Sequence, residues 1–405
     1  MKELIIIGAG ASGLVTAIVS ARRGKKVLIL EKNNKIGKKL LATGNGKCNI
    51  TNQRPTLEHF YSSNPHIIKE FFEGYNYQSI KQFFKSIGLE LIEAKEGKVF
   101  PMSLQASSVV ELLVAECEEL GVQILCEIEV QKIKKIKNFY EIIHNKGIEK
   151  TKLLVIATGN LSAPQLGGVD DGINFAKMLG HTSIKSFPSL VQLTSSMKKL
   201  ERMAGVKIES RVTLVTKSGK IIQRQGDVLF TTYGISGLAI LDISRFVMIE
   251  LLKKRSVKLT IDLIPKMSQE QLFALMRKSL VKKSSKPLTI WLQGFINKKL
   301  ILPILEPLKL ENETLNTLYS NREKLDSIVY KIKNFEFEVN GSRGYKGAEI
   351  ATGGVDTKEI NPKTMESKKH KGVYFTGEVL DVDGDRGGFN LHFAWICGLK
   401  VGKSI

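Results

Sequence analysis

The sequence is poor in the residues that build disulfide frameworks and metal sites. Its four cysteines, Cys48, Cys117, Cys126 and Cys397, form no C-x-x-C pair in a chain of 405 residues. Their low number and wide spacing exclude a disulfide-rich secreted fold and favour a reducing, cytoplasmic location. The six histidines are scattered without ligand spacing, so no metal site is expected.

A long uninterrupted apolar run is also missing. Residues 4–21 are apolar enough to suggest a membrane anchor or a signal peptide, but they contain three glycines together with Ser12 and Thr16. A membrane-spanning helix needs ~20 apolar residues. Lys2 supplies the one positive charge in front of the run, and no small-residue cleavage site stands out. We therefore expect neither an anchor nor a signal peptide.

Acidic residues are few relative to basic ones. Lys and Arg number 61 against 40 Asp and Glu, which gives a formal net charge of +21. Such a charge permits attraction to nucleic acid, acidic membranes or anionic substrates. The lysines are spread along the chain, with pairs at 253–254, 282–283 and 298–299. A solvated lysine-rich surface is therefore the preferred interpretation, and nucleic-acid binding stays open as the alternative.

The most informative stretch lies at the start of the chain. Leu4–Ile7 reads as a short strand buried on both faces. Gly8, Gly10 and Gly13 follow at G-x-G-x-x-G spacing. In a dinucleotide-binding turn the first glycine permits the tight turn, the second lets the backbone approach a pyrophosphate, and the third lets helix and strand pack closely. The pattern predicts a βαβ dinucleotide-binding unit.

The residues after this turn agree with that prediction. Ala11 and Ser12 open a helix whose amides and dipole would point at the phosphates. Gly24 ends this helix, and Val27–Leu30 reads as the second strand. Glu31 follows directly, where a carboxylate can accept both hydroxyls of an adenosine ribose.

An irregular loop, KNNKIGKKLLATGNGKCNITN, extends from Lys32 to Asn52. Its glycines and asparagines make regular structure improbable. Lys38 and Lys39 precede a turn rich in amide and hydroxyl groups, which suits a negatively charged extended ligand. An ordinary glycine loop is the alternative.

The middle of the chain divides into further segments. KLLVIATG, residues 152–159, reads as another buried parallel strand ending in a small-residue turn. From Pro188 to Ile264 the pattern indicates antiparallel strands of a barrel-like insert. A helical segment follows, with capping boxes at Ser268 and Ser320, and with an apolar stripe between residues 291 and 301 that is expected to be core.

The last unit has a strand, an acid and a glycine pair in succession. GVYFTG, residues 372–377, reads as a strand, and Glu378 and the loop VLDVDGDRGG follow it. Asn390 then begins a helix that also contains His392. This arrangement fits a site for the ribityl chain and pyrimidine edge of a flavin, because a helix N-terminus stabilises negative charge on the reduced ring. A plain α/β terminus is the alternative.

Taken together, these motifs resemble FAD-dependent oxidoreductases of the two-dinucleotide-binding type. More narrowly, GKKLLATGNGKCNITN (37–52), KVFPMSLQASSVV (98–110), FTTYGISGLAILDISR (230–245) and TGEVLDVDGDRGGFNLHFA (376–394) are similar to the bacterial BaiN-like, aminoacetone-oxidase-like flavoproteins. The resemblance covers essentially the whole chain. It implies an α/β fold: a Rossmann-like FAD-binding domain split in sequence, with an inserted β-barrel-like domain and a small helical subdomain.

The resemblance also implies domain bounds and a set of cofactor-binding residues. The expected domains are 1–187 with 341–405 for FAD, 188–265 with 326–340 for the barrel, and 266–325 for the helical subdomain. The implied cofactor-binding residues, carried over position by position, are Gly8, Gly10, Ala11, Ser12, Gly13, Glu31, Lys32, Lys38, Lys39, Leu40, Thr43, Asn45, Cys48, Asn49, Val130, Ala157, Thr158, Gly159, Gly377, Glu378, Gly387, Gly388, Asn390 and Leu391.

Three positions depart from the family pattern. Thr232 stands where the family usually has histidine, and Leu238 stands where it has proline. Residues 157–160 read ATGN where the family commonly has ATGG, so Asn160 replaces the second glycine of that motif. The first departure puts in doubt any chemistry that needs that imidazole. The third is mild, because asparagine tolerates left-handed backbone conformations.

The expected function is an FAD-dependent oxidoreductase that transfers a hydride between flavin and a small organic substrate. Oxygen or NAD(P)H could complete the cycle, although no second G-x-G-x-x-G follows a strand. No catalytic acid or base can be named: His392 is more simply a core histidine, and Cys48 a packing residue. The alternatives are a flavin-dependent RNA-modifying enzyme and a non-catalytic flavin sensor. The oligomeric state stays undetermined, and no membrane partner is expected.

Overall fold

The computed structural model describes residues 1–253 and 257–405. Its helices are α1 Ala11–Arg22, α2 Lys38–Ala42, α3 His66–Phe72, α4 Tyr77–Ser86, α5 Ala106–Glu119, α6 Asp171–Met178, α7 Leu200–Met203, α8 Leu238–Leu252, α9 Gln269–Ser279, α10 Leu288–Trp291, α11 Lys298–Leu305, α12 Leu315–Ser320, α13 Arg322–Lys333, α14 Gly344–Gly347 and α15 Phe389–Ser404.

The strands, several of them only two residues long, follow in chain order. They are β1 Lys2–Ile7, β2 Val27–Leu30, β3 Thr51–Asn52, β4 Phe60–Tyr61, β5 Leu91–Glu93, β6 Lys98–Pro101, β7 Gln123–Leu125, β8 Val130–Ile136, β9 Phe139–His144, β10 Gly147–Ile156, β11 Ser183–Ile184, β12 Pro188–Ser189, β13 Leu193–Thr194, β14 Lys207–Val215, β15 Ile221–Thr231, β16 Gly234–Ser236, β17 Val257–Asp262, β18 Phe335–Val339, β19 Gly341–Ser342, β20 Ile350–Ala351, β21 Gly354–Val355, β22 Val373–Phe375 and β23 Asp383–Gly384.

The chain forms two compact units. The first contains Met1–Pro188 and Glu349–Ile405, and the second contains Ser189–Ala348. The first unit is therefore built from both ends of the chain. The helical segment 266–325 lies within the second unit and shares its apolar core. The finer three-part division expected from the sequence stays a prediction.

A parallel sheet organises the first unit. The order β7-β2-β1-β10-β22 is parallel throughout, with Leu4 opposite Val27 on one side and Leu153 on the other. Such strands are buried on both faces, which explains the continuous apolar runs of β1, β2 and the end of β10. The first half of β10 pairs instead with β9 and β8 in an antiparallel meander. This arrangement is a Rossmann-like α/β fold, so the fold expected from the sequence is confirmed.

The second unit is built around an antiparallel sheet in the order β18-β17-β14-β15-β16-β13-β19. Asn340 alone separates β18 from β19, so the two edge strands of this sheet are nearly one continuous strand. The sheet therefore closes on itself. Its inner side chains, including Phe230 and Phe337, are buried. This closure confirms the expected barrel-like insert, because a barrel removes exposed sheet edges.

Local details of the second unit differ from the sequence interpretation. The helix α8, Leu238–Leu252, was not predicted within a region interpreted as strands. Leu238 is the first residue of α8. Proline is also favoured at the first position of a helix, so the leucine of this chain and the proline usual in the family fit the same backbone. Ser268 forms the predicted capping box with Gln271. The box predicted at Ser320 is wrong, because Asn321 caps α13 through its side chain.

Candidate functional site

The glycine turn between β1 and α1 has the geometry that phosphate binding requires. Gly8 has φ +106°, and an added Cβ would lie 2.5 Å from the carbonyl oxygen of Ala157. A Cβ at Gly13 would overlap the carbonyl oxygen of Gly8, so this glycine keeps the helix close to the turn. A Cβ at Gly10 would meet no atom within 4 Å. Two glycines are thus needed by the protein itself, and the space over Gly10 is open for a ligand.

Glu31 closes the same turn from the end of β2. Its Oε2 accepts a hydrogen bond from the Ala9 amide at 2.7 Å, and its Oε1 accepts one from the Asn33 amide at 2.8 Å. The backbone carbonyl of Glu31 accepts from Ile128, two residues before Val130 begins β8. Glu31 and Val130 are therefore near each other, as the adenosine end of a dinucleotide site requires.

Lys32 points to a different set of partners. Its Nζ lies 2.8 Å from Glu129 and 3.2 Å from Asp171. The hydrogen bond to Glu129 raises the pKa of Lys32, with Asp171 adding to the effect and burial opposing it. The charge of Lys32 is already balanced by two carboxylates, so the structure does not by itself direct it toward a ribose.

The loop from α2 to β3 is held mainly by its own polar groups. Thr43 Oγ1 donates to the Leu40 carbonyl at 2.7 Å, and the Cys48 amide donates to the Thr43 carbonyl at 3.0 Å. Asn45 and Cys48 both have positive φ, 55° and 56°. The Asn49 side chain accepts from the Val99 amide at 3.3 Å. These residues shape a compact loop that can present its backbone to a ligand.

Cys48 is buried within this loop, and its thiol is not poised for chemistry. Burial raises the pKa of Cys48 to about 12. The thiolate, which is the nucleophilic form, is therefore scarce near neutral pH. Cys48 acts as a packing residue.

Lys39 joins three segments that are far apart in the sequence. Its Nζ lies 2.7 Å from Glu378 Oε2 and 2.5 Å from Ser162 Oγ. The other oxygen of Glu378 accepts from Ser162 Oγ at 3.1 Å. These residues come from α2, from the loop after β10 and from the turn after β22. Ser162, which bonds both Lys39 and Glu378, was not among the site residues expected from the sequence. The neighbouring Lys38 is partly buried.

The turn after β10 lies directly beside the glycine turn. The Ala157 amide donates to the Ile7 carbonyl at 2.9 Å, so the ends of β1 and β10 are level. Gly159 has φ +73°, and a Cβ there would also meet no atom within 4 Å. Thr158 between them packs against Gly172 at the start of α6. The backbone of Ala157–Gly159 thus borders the open space next to Gly10.

The C-terminal segment completes this side of the unit. A Cβ at Gly377 would lie 2.7 Å from Ser12 Oγ, and one at Gly388 would lie 2.5 Å from the Thr51 carbonyl oxygen. Gly377 therefore rests on the first turn of α1, and Gly388 rests on β3. Gly387 also has positive φ, 132°.

Asn390 fixes the loop that precedes α15. Its Oδ1 accepts from the Gly384 amide and its Nδ2 donates to the Gly384 carbonyl, both at 2.8 Å. The Asn390 side chain is thus committed to the backbone, and its own amide at the helix start is the group available to a ligand. Leu391 is partly buried against the core of the unit.

Helices α1 and α15 pack along each other through glycines. A Cβ at Gly398 would lie 2.8 Å from the Ser12 carbonyl oxygen, and one at Gly402 would lie 2.5 Å from Val19 Cβ. Both helices therefore run in the same direction. Because α15 begins nine residues before Gly398 and α1 begins one residue before Ser12, the start of α15 projects roughly 12 Å farther. The two helix N-termini thus point in the same direction at different heights, and each is suited to a negatively charged group.

His392 is a core residue, as the simpler interpretation of the sequence held. Its Nδ1 lies 2.7 Å from Thr51 Oγ1, and both residues are buried. Burial lowers the pKa of His392 to about 3, so its ring is neutral at physiological pH. The histidine locks α15 onto β3 and is not available as an acid.

A second histidine near the start of α15 was missed by sequence reasoning. The His59 ring stacks on Phe389, the first residue of α15, with centroids 4.0 Å apart. Its Nδ1 lies 3.1 Å from Asp385 Oδ2, and Tyr61 donates to the other oxygen of Asp385 at 3.0 Å. His59 is partly exposed, and within the described part of the chain its Nε2 has no bonded partner. No sequence signal joined His59 to Asp385, since 326 positions separate them.

These features together fit a dinucleotide carrying an extended, negatively charged centre. The open space over Gly10 and Gly159, the free amides in the first turn of α1 and the carboxylate of Glu31 supply the three kinds of contact such a ligand needs. The cofactor-binding role of the members expected from the sequence stays a prediction, and Lys32 is engaged by two acids. Within the described residues, no helix combines the length and the apolar character needed to cross a bilayer.

Comparison with known proteins agrees with this geometry. The model of the HI0933-like protein Rossmann domain matches residues 2–404. A 3-dehydro-bile acid delta(4,6)-reductase of Clostridium scindens is 32% identical over 100% of this chain and 99% of its own length. A ribosomal RNA dihydrouridine synthase of Haemophilus influenzae is 35% identical over 99% of both chains.

A solved structure shares the fold over nearly the whole length. The 3-ketosteroid-delta4-(5alpha)-dehydrogenase from Rhodococcus jostii RHA1 aligns with a TM-score of 0.51 and 14% identity, covering 99% of this chain and 96% of that one. At this identity the likeness concerns the fold alone.

Proposed function

This chain belongs to the HI0933-like Rossmann family, which comprises flavin oxidoreductases, and we propose that it is an FAD-dependent reductase of a small, conjugated organic substrate. The observation that best supports the proposal is the meeting of three distant segments beside the glycine turn. Gly377 lies against Ser12 in the first turn of α1, and the next residue, Glu378, bonds Lys39.

The residues that would hold FAD follow from their positions. The amides of Ala11, Ser12 and Gly13 would bind the pyrophosphate at the α1 terminus. Glu31 would accept the ribose hydroxyls, beside the backbone of Val130. The remaining members would follow the cofactor from this end to the start of α15: Lys38, Lys39, Leu40, Thr43, Asn45, Cys48, Asn49, Ala157, Thr158, Gly159, Gly377, Glu378, Gly387, Gly388, Asn390 and Leu391.

Two kinds of full-length relative suggest the type of bond that is reduced. Their names, a delta(4,6)-reductase and a dihydrouridine synthase, both describe the saturation of a carbon–carbon double bond conjugated to a carbonyl group. Bound FAD, once reduced by a two-electron donor such as NAD(P)H, would supply a hydride for such a bond and return to the oxidised form. We therefore propose an activated C=C as the reacting group, with one hydride and one proton added across it.

The proton would come from His59. Asp385 holds its Nδ1 at 3.1 Å, and Nε2, which bonds no other group of the described residues, would donate the proton to the substrate. A histidine charges and discharges near neutral pH more readily than other side chains, which suits a proton donor. Tyr61 would keep Asp385 in place through its hydroxyl.

The test is anaerobic. The purified protein is reduced with NADH, NADPH or dithionite and mixed with a panel of enones, 2-oxo acids and amines, while flavin absorbance is followed. We expect reoxidation by enones and none by amines. His59→Gln should slow reoxidation by an enone at least 10-fold but leave reoxidation by oxygen unchanged, because oxygen does not need this proton donor. Flavin that is reoxidised by no compound of the panel would contradict the small-substrate proposal.

An RNA-directed reductase is the second candidate. The specific observation in its favour is that two relatives matched over nearly their full length are each named as a ribosomal RNA dihydrouridine synthase, and uridine also carries a conjugated C=C. Replacing the enone panel by an rRNA fragment, with free uridine as the control, separates the two candidates. Turnover of RNA without turnover of any enone would favour the second.

A further inference from the structure

The positive charge of the chain is concentrated in the second unit. Residues 189–348 contain 28 Lys and Arg against 14 Asp and Glu, which places +14 of the total charge of +21 in this unit. A field of this size attracts polyanions and raises their encounter rate. The first unit contains the remaining 33 Lys and Arg but also 26 Asp and Glu, so the excess of positive charge in the second unit comes from its small number of acidic residues.

In two of the three lysine pairs noted in the sequence, one lysine has a bonded partner. Lys253 lies 3.4 Å from Glu250, and Lys299 donates to a backbone carbonyl at 2.6 Å. Lys254 lies outside the described residues. The pair at 282–283 differs, because neither lysine forms an ion pair or a hydrogen bond through its side chain within the described part of the chain.

This pair belongs to a longer segment, residues 277–286, that we name the basic loop. It extends from the last turn of α9 to the start of α10 and contains no acidic residue. Its five cationic side chains are all exposed, and none is paired among the described residues: Arg277, Lys278, Lys282, Lys283 and Lys286. Some surface cations elsewhere in the unit are neutralised, as Lys199 and Arg202 are by Glu306, and others, such as Lys217 and Lys220, are unpaired among the described residues but occur in smaller groups. The basic loop is thus a local excess of unbalanced charge.

The second half of the basic loop is held in place by its backbone. The carbonyls of Ser284 and Lys286 accept hydrogen bonds from Asn316 at 3.1 Å and Leu315 at 3.0 Å. The Ser284 hydroxyl also accepts from the Lys286 amide at 3.2 Å. Lys286 is therefore presented from a backbone that is already held, so a ligand need not order that part of the loop when it binds.

We propose that the basic loop binds the phosphate backbone of RNA. Several unpaired lysines within ten residues can each displace a counterion from a phosphate, which is the main source of affinity for nucleic acid. An anionic membrane is the weaker fit, because interfacial anchors bury a broad apolar face and Val281 is the one large apolar side chain of the loop that is strongly exposed, at 83%. This proposal concerns RNA binding, which is distinct from the flavin reaction and can be measured without turnover.

The experiment measures binding of a fluorescein-labelled 40-nucleotide RNA by anisotropy, at several KCl concentrations, with the flavin-loaded protein. The test variant is Lys282→Glu with Lys283→Glu and Lys286→Glu. The matched control is Lys132→Glu with Lys134→Glu and Lys135→Glu on β8, which makes the same charge change at three exposed lysines of the first unit.

We expect the test variant to bind RNA at least 10-fold more weakly at 100 mM KCl. Its slope of log affinity against log salt should fall by ~2, because three phosphate contacts contribute ~0.7 each. The matched control should change affinity less than 3-fold. Equal losses in both variants, no loss in the test variant, or no RNA binding by the wild type would overturn the proposal. So would tighter, loop-dependent binding to vesicles containing phosphatidylglycerol than to RNA.

Folding of the test variant is checked by its flavin content and melting temperature. If it does not fold, the glutamine triple variant at the same positions removes the charge without reversing it. The same result is then expected with a smaller loss of affinity.

Discussion

The Gly10→Ala variant tests whether Gly10 is required for FAD binding and not for the stability of the fold. In the structure a Cβ at Gly10 meets nothing within 4 Å, and its φ of −89° and ψ of −169° are accessible to alanine. The free energy of unfolding of the apoprotein should therefore change by less than about 1 kcal/mol. The added methyl would occupy the approach of a pyrophosphate. We expect the Kd for FAD to rise at least 100-fold, which corresponds to about 2.7 kcal/mol.

The contrast with Gly13→Ala makes the test decisive. There the methyl would overlap the carbonyl oxygen of Gly8, so the helix must shift, at a cost of roughly 1–3 kcal/mol in the apoprotein. Gly294→Ala is the matched control, because its Cβ position is also open but lies in the second unit. It should change neither quantity.

Both quantities are measured on deflavinated protein, because bound FAD would itself stabilise the fold. Urea unfolding followed by circular dichroism gives the stability, and a fluorescence titration gives the Kd. The reasoning is refuted if Gly10→Ala binds FAD as tightly as the wild type. It is also refuted if Gly10→Ala destabilises the apoprotein as much as Gly13→Ala does.

Three further predictions concern the core around the site. Gly402→Leu should destabilise the apoprotein by roughly 1–3 kcal/mol and lower flavin retention, because a Cβ there already lies 2.5 Å from Val19; unchanged urea unfolding would contradict it. His392→Gln should make the free energy of unfolding less sensitive to acid. In the wild type the pKa of His392 is about 6.5 in the unfolded chain and about 3 in the folded one, so below pH 6.5 the unfolded state binds a proton that the folded state does not. The free energy of unfolding of the wild type should therefore decrease by roughly 3 kcal/mol between neutral pH and pH 4 through this histidine. Equal pH dependence of urea midpoints in both proteins would disprove this. Cys48, with its pKa raised to about 12, should not react with a disulfide reagent at pH 8 before the protein unfolds, whereas Cys126, which is partly exposed, should react. Rapid labelling of Cys48, located by mass spectrometry, would refute this prediction.

The sequence by itself determined the parts of this protein whose physics is local. The order of strand, glycine turn, helix, strand and acid within residues 4–31 was sufficient, because each contact there spans few residues and each glycine has a distinct role. The alternation of the barrel strands was readable for the same reason. The largely apolar helix α8 was not, since its many apolar residues conceal the period of a helix that is buried on several sides.

Only the tertiary structure decided which distant residues meet. Lys39 and Glu378 are separated by 339 positions, and His59 and Asp385 by 326, so no local pattern could pair them. Closure of the barrel depends on Asn340 joining two edge strands, and the isolation of the basic loop depends on which lysines find acids. These outcomes follow from how both ends of the chain pack into one sheet and how a single insert folds between them. A pairing of this kind is a property of the packed chain, because its energy comes from groups that are adjacent in space and remote in sequence.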